Sequence, residues 1–206
     1  MSVRTRPARL IVGISGASGV IYGVRLLELL REVDVETHLI MTKSAQVTLA
    51  LETEYKVGDV LKMATHHYDN ADIAAAVSSG SFHTMGMVIA PCSMRSLAEI
   101  ATGVTGNLLS RAADVALKER RRLVLMARET PLHLGHLRNM VQVTEMGAVV
   151  YPPSPAFYTR PTQLQEVIDQ SLGRMLDLFE FESSVVRRWG EDIRAGRRAG
   201  SEEQDT

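Results

Sequence analysis

The feature that most constrains this chain is a repeated grammar: a short apolar run, a turn of small residues, then apolar positions at helical spacing. Arg9-Leu-Ile-Val-Gly-Ile-Ser15 is the first run, and Val20 to Glu32 follows with apolar residues at 20, 21, 24, 26, 27, 29 and 30. Such a run reads as a buried strand and its sequel as an amphipathic helix. Val35-Glu-Thr-His-Leu-Ile-Met41 repeats the strand pattern ahead of a helical stretch from Ser44 to Leu51. Met87-Val-Ile-Ala-Pro91 precedes Cys92-Ser-Met-Arg-Ser96 and helical spacing to Ala101. A helix over 108–120 leads to the strand Arg122-Leu-Val-Leu-Met-Ala127, a helix over 134–146 to the strand Ala148-Val-Val-Tyr151, and a long helix spans Thr162 to Phe179. This alternation predicts an α/β fold with a doubly wound parallel sheet of about five or six strands, whose ligands sit at the carboxyl ends of the strands. Residues 54–84 break the pattern: Tyr55 to Leu61 and His66 to Asn70 read as an excursion, and Ser78 to Ser81 as a tight turn. No internal repeat is present. One domain over 9–190 is expected, between an extension at 1–8 and a disordered tail at 191–206.

Composition narrows the function. The 23 basic and 24 acidic side chains leave a formal charge of -1, so no overall basic field grips nucleic acid, and phosphate binding must be local. A single cysteine makes no intramolecular disulfide and no zinc knuckle. No apolar stretch reaches the roughly 18–20 residues that span a bilayer, and the amino end carries no secretory pattern. A cytoplasmic protein without membrane partners is expected.

Chemistry is concentrated in the loops after strands. Gly13-Ile-Ser-Gly-Ala-Ser-Gly19 lies between the first strand and first helix, where backbone N–H groups and the helix dipole favour an anion. Its glycines match neither the dinucleotide fingerprint nor the Walker motif, and a plain tight turn explains them too. Pro91-Cys-Ser-Met-Arg-Ser96 is the second such loop; Ser93 reads equally as a helix N-cap, but two such turns in one open sheet can line one crevice. Arg111 and Lys118 share a helix face, and Arg128-Glu129 follows a strand, so convergent cations beside a carboxylate suit a phosphate with a proton to exchange. The Arg120–Arg122 run reads as a solvated face. Tyr158 sits in a proline-stiffened loop, and Arg174, inside an apolar helix, calls for a partner anion. His66, His67, His83, His133 and His136 lack zinc-site spacing, so no metal is expected. Cys92 reads as a small buried hydrophobe.

Taken in order, Gly13–Gly19, Leu51-Glu-Thr53, Ser79-Gly-Ser81, Pro91-Cys-Ser93, Gly103 through Asn107, Arg111 through Lys118, Arg128-Glu-Thr-Pro-Leu132, His136-Leu with Asn139-Met140, and Pro155-Ala-Phe-Tyr158 resemble the UbiX family of flavin prenyltransferases. The resemblance runs from about residue 9 to Trp189. It implies a three-layer flavodoxin-like (Rossmann-like) fold and transfer of a dimethylallyl group from dimethylallyl phosphate to N5 and C6 of reduced FMN, without a metal. It also implies a dodecamer with sites at subunit contacts, and delivery of prenylated FMN to a UbiD-type aromatic acid decarboxylase. Carried over by position, Gly16, Ala17, Ser18, Thr42, Ser93, Met94, Arg95, Ser96 and Arg128 hold the flavin. Ser79, Arg111, Lys118, Glu129, Tyr158, Arg174 and Trp189 hold the prenyl phosphate. Catalysis falls to Glu129, Lys118, Ser18, Glu52, Tyr158 and Arg174. Two other readings stand beside this one. An FMN-dependent cysteine decarboxylase would carry a PxMNxxMW-type motif, not seen here, and a non-catalytic FMN carrier would need the flavin loops but not Glu129, Tyr158 and Arg174.

Overall fold

The computed structural model describes residues 7–193; of the tail expected to be disordered at 191–206, residues 194–206 lie outside the described residues, as does most of the expected extension at 1–8, whereas 191–193 turn back so that Ile193 bridges Trp189. The chain divides into two compact units, one reaching to Pro153 and one starting at Ser154.

Among the described residues the first unit is built on six strands: β1 (Arg9–Ile14), β2 (Glu36–Met41), β3 (His66–Asp69), β4 (Gly86–Cys92), β5 (Arg122–Ala127) and β6 (Val149–Val150). They form one sheet in the order β3-β2-β1-β4-β5-β6, and every pairing is parallel. The helices between them are α1 (Ile21–Leu30), α2 (Lys43–Glu52), α3 (Val57–Leu61), α4 (Met94–Thr102), α5 (Leu108–Lys118) and α6 (Leu134–Glu145). Neighbouring residues of β1 show the two faces of the sheet. A methyl group on Gly23 of α1 would stand 2.7 Å from the Ile14 side chain, whereas one on Gly13 would stand 2.8 Å from Leu109 of α5. Since residues 13 and 14 point to opposite sides of a strand, α1 and α5 cover opposite faces, which makes three layers. The central strands β1 and β4 are buried along nearly their whole length, as expected for a sheet covered on both sides. One core joins Ile11, Ile40, Met87 and Ile89 of the sheet to Leu97, Leu109, Ala112 and Val143 of α4, α5 and α6.

The region read as an excursion contains a helix, α3, and a sixth strand, β3. His66-His-Tyr-Asp69 is mostly exposed, because an edge strand pairs on one side only and needs no apolar run. Its register is set instead by pairing with β2, by Thr65 bonding Thr37 in both directions, and by the Tyr68 hydroxyl 2.9 Å from His38 Nδ1. His38 is buried; that burial, and then the neighbouring His66, hold its pKa down at about 4. Arg121, expected on a solvated face, is a clamp: its guanidinium donates to the carbonyls of Gly80 and Phe82 at 2.6 and 2.7 Å.

The second unit contains α7 (Leu164–Leu176), followed by a 3-10 turn over Asp177–Phe179. The long helix expected over 162–179 is thus shorter at its start and tightens at its end. Gln170 of α7 is buried and bonds the Arg187 backbone twice, donating to its carbonyl at 3.1 Å and accepting from its amide at 2.9 Å. Gly173 allows that returning segment to lie close: a methyl there would come within 2.2 Å of the Val186 side chain.

Candidate active site

The strand order reverses between β1 and β4, and that switch point is where an open parallel sheet leaves a crevice. Ser15, buried at the end of β1, ties the two sides together: its hydroxyl donates to the Pro91 carbonyl at 2.9 Å and accepts from the Ser93 amide at 2.7 Å. A cavity of about 760 Å³ opens above the carboxyl ends of β1, β2, β3 and β4, lined among others by Gly16, Thr42, Ser93, Arg95, Ser96 and Asn107. Three helices start at its wall, each with a side-chain cap: Thr42 accepts from the Ala45 amide of α2, Ser93 from the Ser96 amide of α4, and Asn107 from the Ser110 amide of α5. The size falls in the range of small-molecule sites, about 300–1,000 Å³, and three converging positive helix ends suit an anionic ligand. A nucleotide-sized phosphoester such as FMN fits this donor set.

The β1–α1 turn differs from a bare phosphate loop. Its Gly19 and Val20 amides donate to Glu52 Oε2 at 2.8 and 3.2 Å, so the first turn of α1 already carries a carboxylate from the end of α2. Burial opposes that carboxylate's charge, but the Ser18 hydroxyl, the two amides and the nearby Arg128 outweigh it and lower its pKa. Gly16 lies against the start of α2, where a methyl group would come within 2.3 Å of Ser44 Cβ. Ala17 is half-buried and Ser18 exposed in this turn.

A second polar cluster gathers around the turn that follows the 3-10 segment Ala76–Ser78. Ser79 and Ser81 hydroxyls are 2.9 Å apart, Arg111 donates from Nε to the Ser78 carbonyl at 3.2 Å while pairing with Asp114 at 2.6 Å, and Lys118 pairs with Glu119. The structure thus brings Ser79, Arg111 and Lys118 to one turn. Lys118 ends the helix that begins at the crevice, so with the eleven residues of α5, Leu108–Lys118, rising 1.5 Å each it stands about 16 Å along α5 from the Asn107 cap.

Residues 2–190 match the flavoprotein family. A flavin prenyltransferase UbiX of Escherichia coli strain K12 is 60% identical over 184 residues, which are 88% of this chain and 97% of that one. The chain belongs to the UbiX flavin prenyltransferase family. Two solved structures are similar throughout. A UbiX protein crystallised in complex with FMN and dimethylallyl pyrophosphate has a TM-score of 0.88 at 50% identity, covering 89% of this chain and 98% of that chain. A dodecameric FMN-dependent UbiX-like decarboxylase from Escherichia coli O157:H7 has a TM-score of 0.87 at 48% identity, covering 88% and 98%.

Of the flavin-holding positions assigned by the UbiX resemblance, Gly16, Thr42, Ser93, Arg95 and Ser96 line the cavity, while Ala17, Ser18, Met94 and Arg128 do not. Met94 is the first residue of α4. Arg95 reaches Glu99 at 3.0 Å, and Glu99 in turn accepts from Asn107 at 2.9 Å. Arg128 and Glu129 are exposed just beyond β5, with Glu129 accepting from the Thr130 amide at 3.0 Å. In the second unit, Tyr158 and Trp189 meet edge to face at 5.6 Å. Arg174 has the partner anion its setting called for: Asp177 accepts from it at 2.6 Å and from Arg188 at 3.0 and 2.8 Å. Sequence reasoning gave no role to Asn70, whose backbone and side-chain oxygens accept from the Leu108 and Leu109 amides, nor to Glu99 and Asn107. Asn107 was within reach, since an Asn just ahead of a helical run is a capping signal; Asn70 acts from thirty-nine residues away.

Proposed function

We propose that this chain transfers a dimethylallyl group from dimethylallyl phosphate to N5 and then C6 of reduced FMN, and that the prenylated FMN serves a UbiD-type aromatic acid decarboxylase. The observation that carries this reading is the 760 Å³ cavity at the switch point with the capped starts of α2, α4 and α5 around it. Reduced FMN is itself the electron-rich acceptor, so no protein nucleophile is called for. In this reading Gly16, Ala17, Ser18, Thr42, Arg128 and the Ser93–Ser96 segment hold the flavin.

The protein's task is to stabilise a departing phosphate and the allylic cation it leaves. Ser79, Arg111, Lys118 and Arg174 meet the phosphate charge, Glu129 exchanges the proton, and the aromatic faces of Tyr158 and Trp189 shelter the cation. Arg174 suits this task because its side chain is 51% exposed and it shares Asp177 with Arg188. It can trade its carboxylate for a phosphate while Arg188 keeps Asp177 paired. Loss of one such charged contact costs about 2–4 kcal/mol of transition-state stabilisation, roughly 30- to 1000-fold in rate.

The span along α5 bears on assembly. Lys118 at one end of the helix and the cavity at the other cannot serve one small substrate within a single chain, so sites shared between copies, as in a dodecamer, reconcile them. Helix α6 supports such packing: Leu134, Leu137 and Val141, at helical spacing, are 59%, 45% and 57% exposed. No helix among the described residues is long and apolar enough to cross a membrane, and the reading places the enzyme in the cytoplasm.

The test is anaerobic incubation with reduced FMN and dimethylallyl phosphate, followed by mass analysis of the extracted flavin. A gain of one dimethylallyl group is expected; an unchanged mass with flavin bound and reduced refutes the transfer. Lys118→Ala and Arg174→Ala should impair donor use far more than FMN binding, and equal losses in both would reject this division of the site.

A further inference from the structure

Strands β2 and β3 place a set of donors together toward their amino ends. His38 stands opposite His66 in the parallel register, and Glu36 lies two residues before His38, so all three side chains leave one face of adjacent strands. One donor atom from each lies within 4.8 Å of the others. His38 is 2% exposed, and its Nε2, 4.0 Å from Glu36 Oε2, has no hydrogen-bond partner among the described residues. A buried ring nitrogen left without a partner is costly and rare. Its other nitrogen is not free: Nδ1 lies 2.9 Å from the Tyr68 hydroxyl. In the tautomer that donates Nδ1–H to Tyr68, Nε2 carries the lone pair and stands 4.0 Å from Glu36. A histidine held by an outer hydrogen bond while its second nitrogen faces further donors is the arrangement that orients metal-bound imidazoles. Phe82 closes one side, edge-on to His38 at 5.1 Å.

We propose that Glu36, His38 and His66 bind a divalent transition-metal cation of the zinc class through one carboxylate oxygen and two imidazole nitrogens, tying edge strand β3 to β2. Two nitrogens and one oxygen with a fourth position open to water form a coordination set that zinc accepts. Bonds of about 2.0–2.1 Å would draw the donors to roughly 3.4 Å from one another. Most of that contraction falls on His66, which is exposed, and on Glu36, which is half-buried, while His38 stays fixed. Arg9 holds Glu36 Oε2 at 2.7 Å; a carboxylate has a second oxygen to offer, but the neighbouring guanidinium weakens the site for a cation. The role is structural: the carboxyl end of β3 supplies Tyr68, Asp69 and Asn70 to the cavity wall, so pinning its amino end steadies that wall. The inference is independent of the reaction proposed above.

The test uses the full-length protein stripped with chelator, titrated with Zn²⁺ by calorimetry and with Co²⁺ by visible absorption. One ion per chain is expected, with Co²⁺ bands of a low-coordinate nitrogen and oxygen site. His66→Gln, at an exposed position, should abolish saturable binding, and Tyr68→Phe should weaken it roughly 10- to 100-fold. Arg9→Gln should strengthen it. His133→Gln, in the other histidine pair with rings 3.5 Å apart, should change nothing. A wild-type protein that takes up neither ion overturns the proposal, as does His66→Gln binding with unaltered affinity and spectrum.

Discussion

Replacing Glu52 by Ala isolates a contact that ties two helices through the turn at the crevice. Its carboxylate accepts from the Gly19 and Val20 amides at 2.8 and 3.2 Å, serving as a side-chain cap supplied from thirty-three residues away. Caps of this type contribute about 0.5–2 kcal/mol, and a negative charge at a helix start adds about 0.3–1 kcal/mol. Glu52 is exposed, so solvent screening holds the charge contribution to the low end. Glu52→Ala should therefore cost about 1–2 kcal/mol, a fall in Tm of roughly 2–8 °C for a chain of this size. Glu52→Gln, which keeps an acceptor oxygen and loses the charge, should cost less than half as much. Urea unfolding followed by circular dichroism measures both. The pH dependence follows from the direction of the shift. Because the folded pKa lies below the ordinary 4.5, the charge-dependent stabilisation is complete above about pH 4.5 and is lost as pH falls through the folded value. The gap between wild type and Glu52→Gln should persist at pH 7 and close in acid. Equal urea midpoints for wild type and Glu52→Ala, or a gap that widens on acidification, would refute the capping role.

Gly16→Ala should destabilise the protein by about 1–3 kcal/mol through crowding and weaken FMN binding, since its methyl would meet Ser44 at 2.3 Å; a flavin fluorescence titration with unchanged affinity would separate that turn from the flavin site. Cys92 is fully buried and its thiol is pushed up to about 12 by that burial, so a thiol reagent at pH 8 should label it only in denaturant, and native labelling at the rate of a free thiol would show that β4 opens.

The chain alone determined the parallel sheet's interior and the loops where a ligand sits. Each of β1, β2, β4 and β5 carries enough apolar residues to declare its own burial, and Thr42, Ser93 and Asn107 stand immediately ahead of the helices they cap. These signals are local, because an element's periodicity records which of its own faces is buried and a cap acts within three residues. What sequence reasoning could not see acts at a distance. β3 has no apolar run, and only its register against β2 makes His66-His-Tyr-Asp69 a strand. Arg121 belongs by composition to a charged run, yet it clamps carbonyls thirty-nine and forty-one residues earlier. The same holds for Ser15, seventy-eight residues from the Ser93 amide it accepts from, and for His38, whose nitrogen, unpartnered among the described residues, becomes visible only once β3 lies beside it. Side-chain hydrogen bonds between distant segments leave no periodic trace in a sequence, so their partners were decided by the packing of the sheet and its helices.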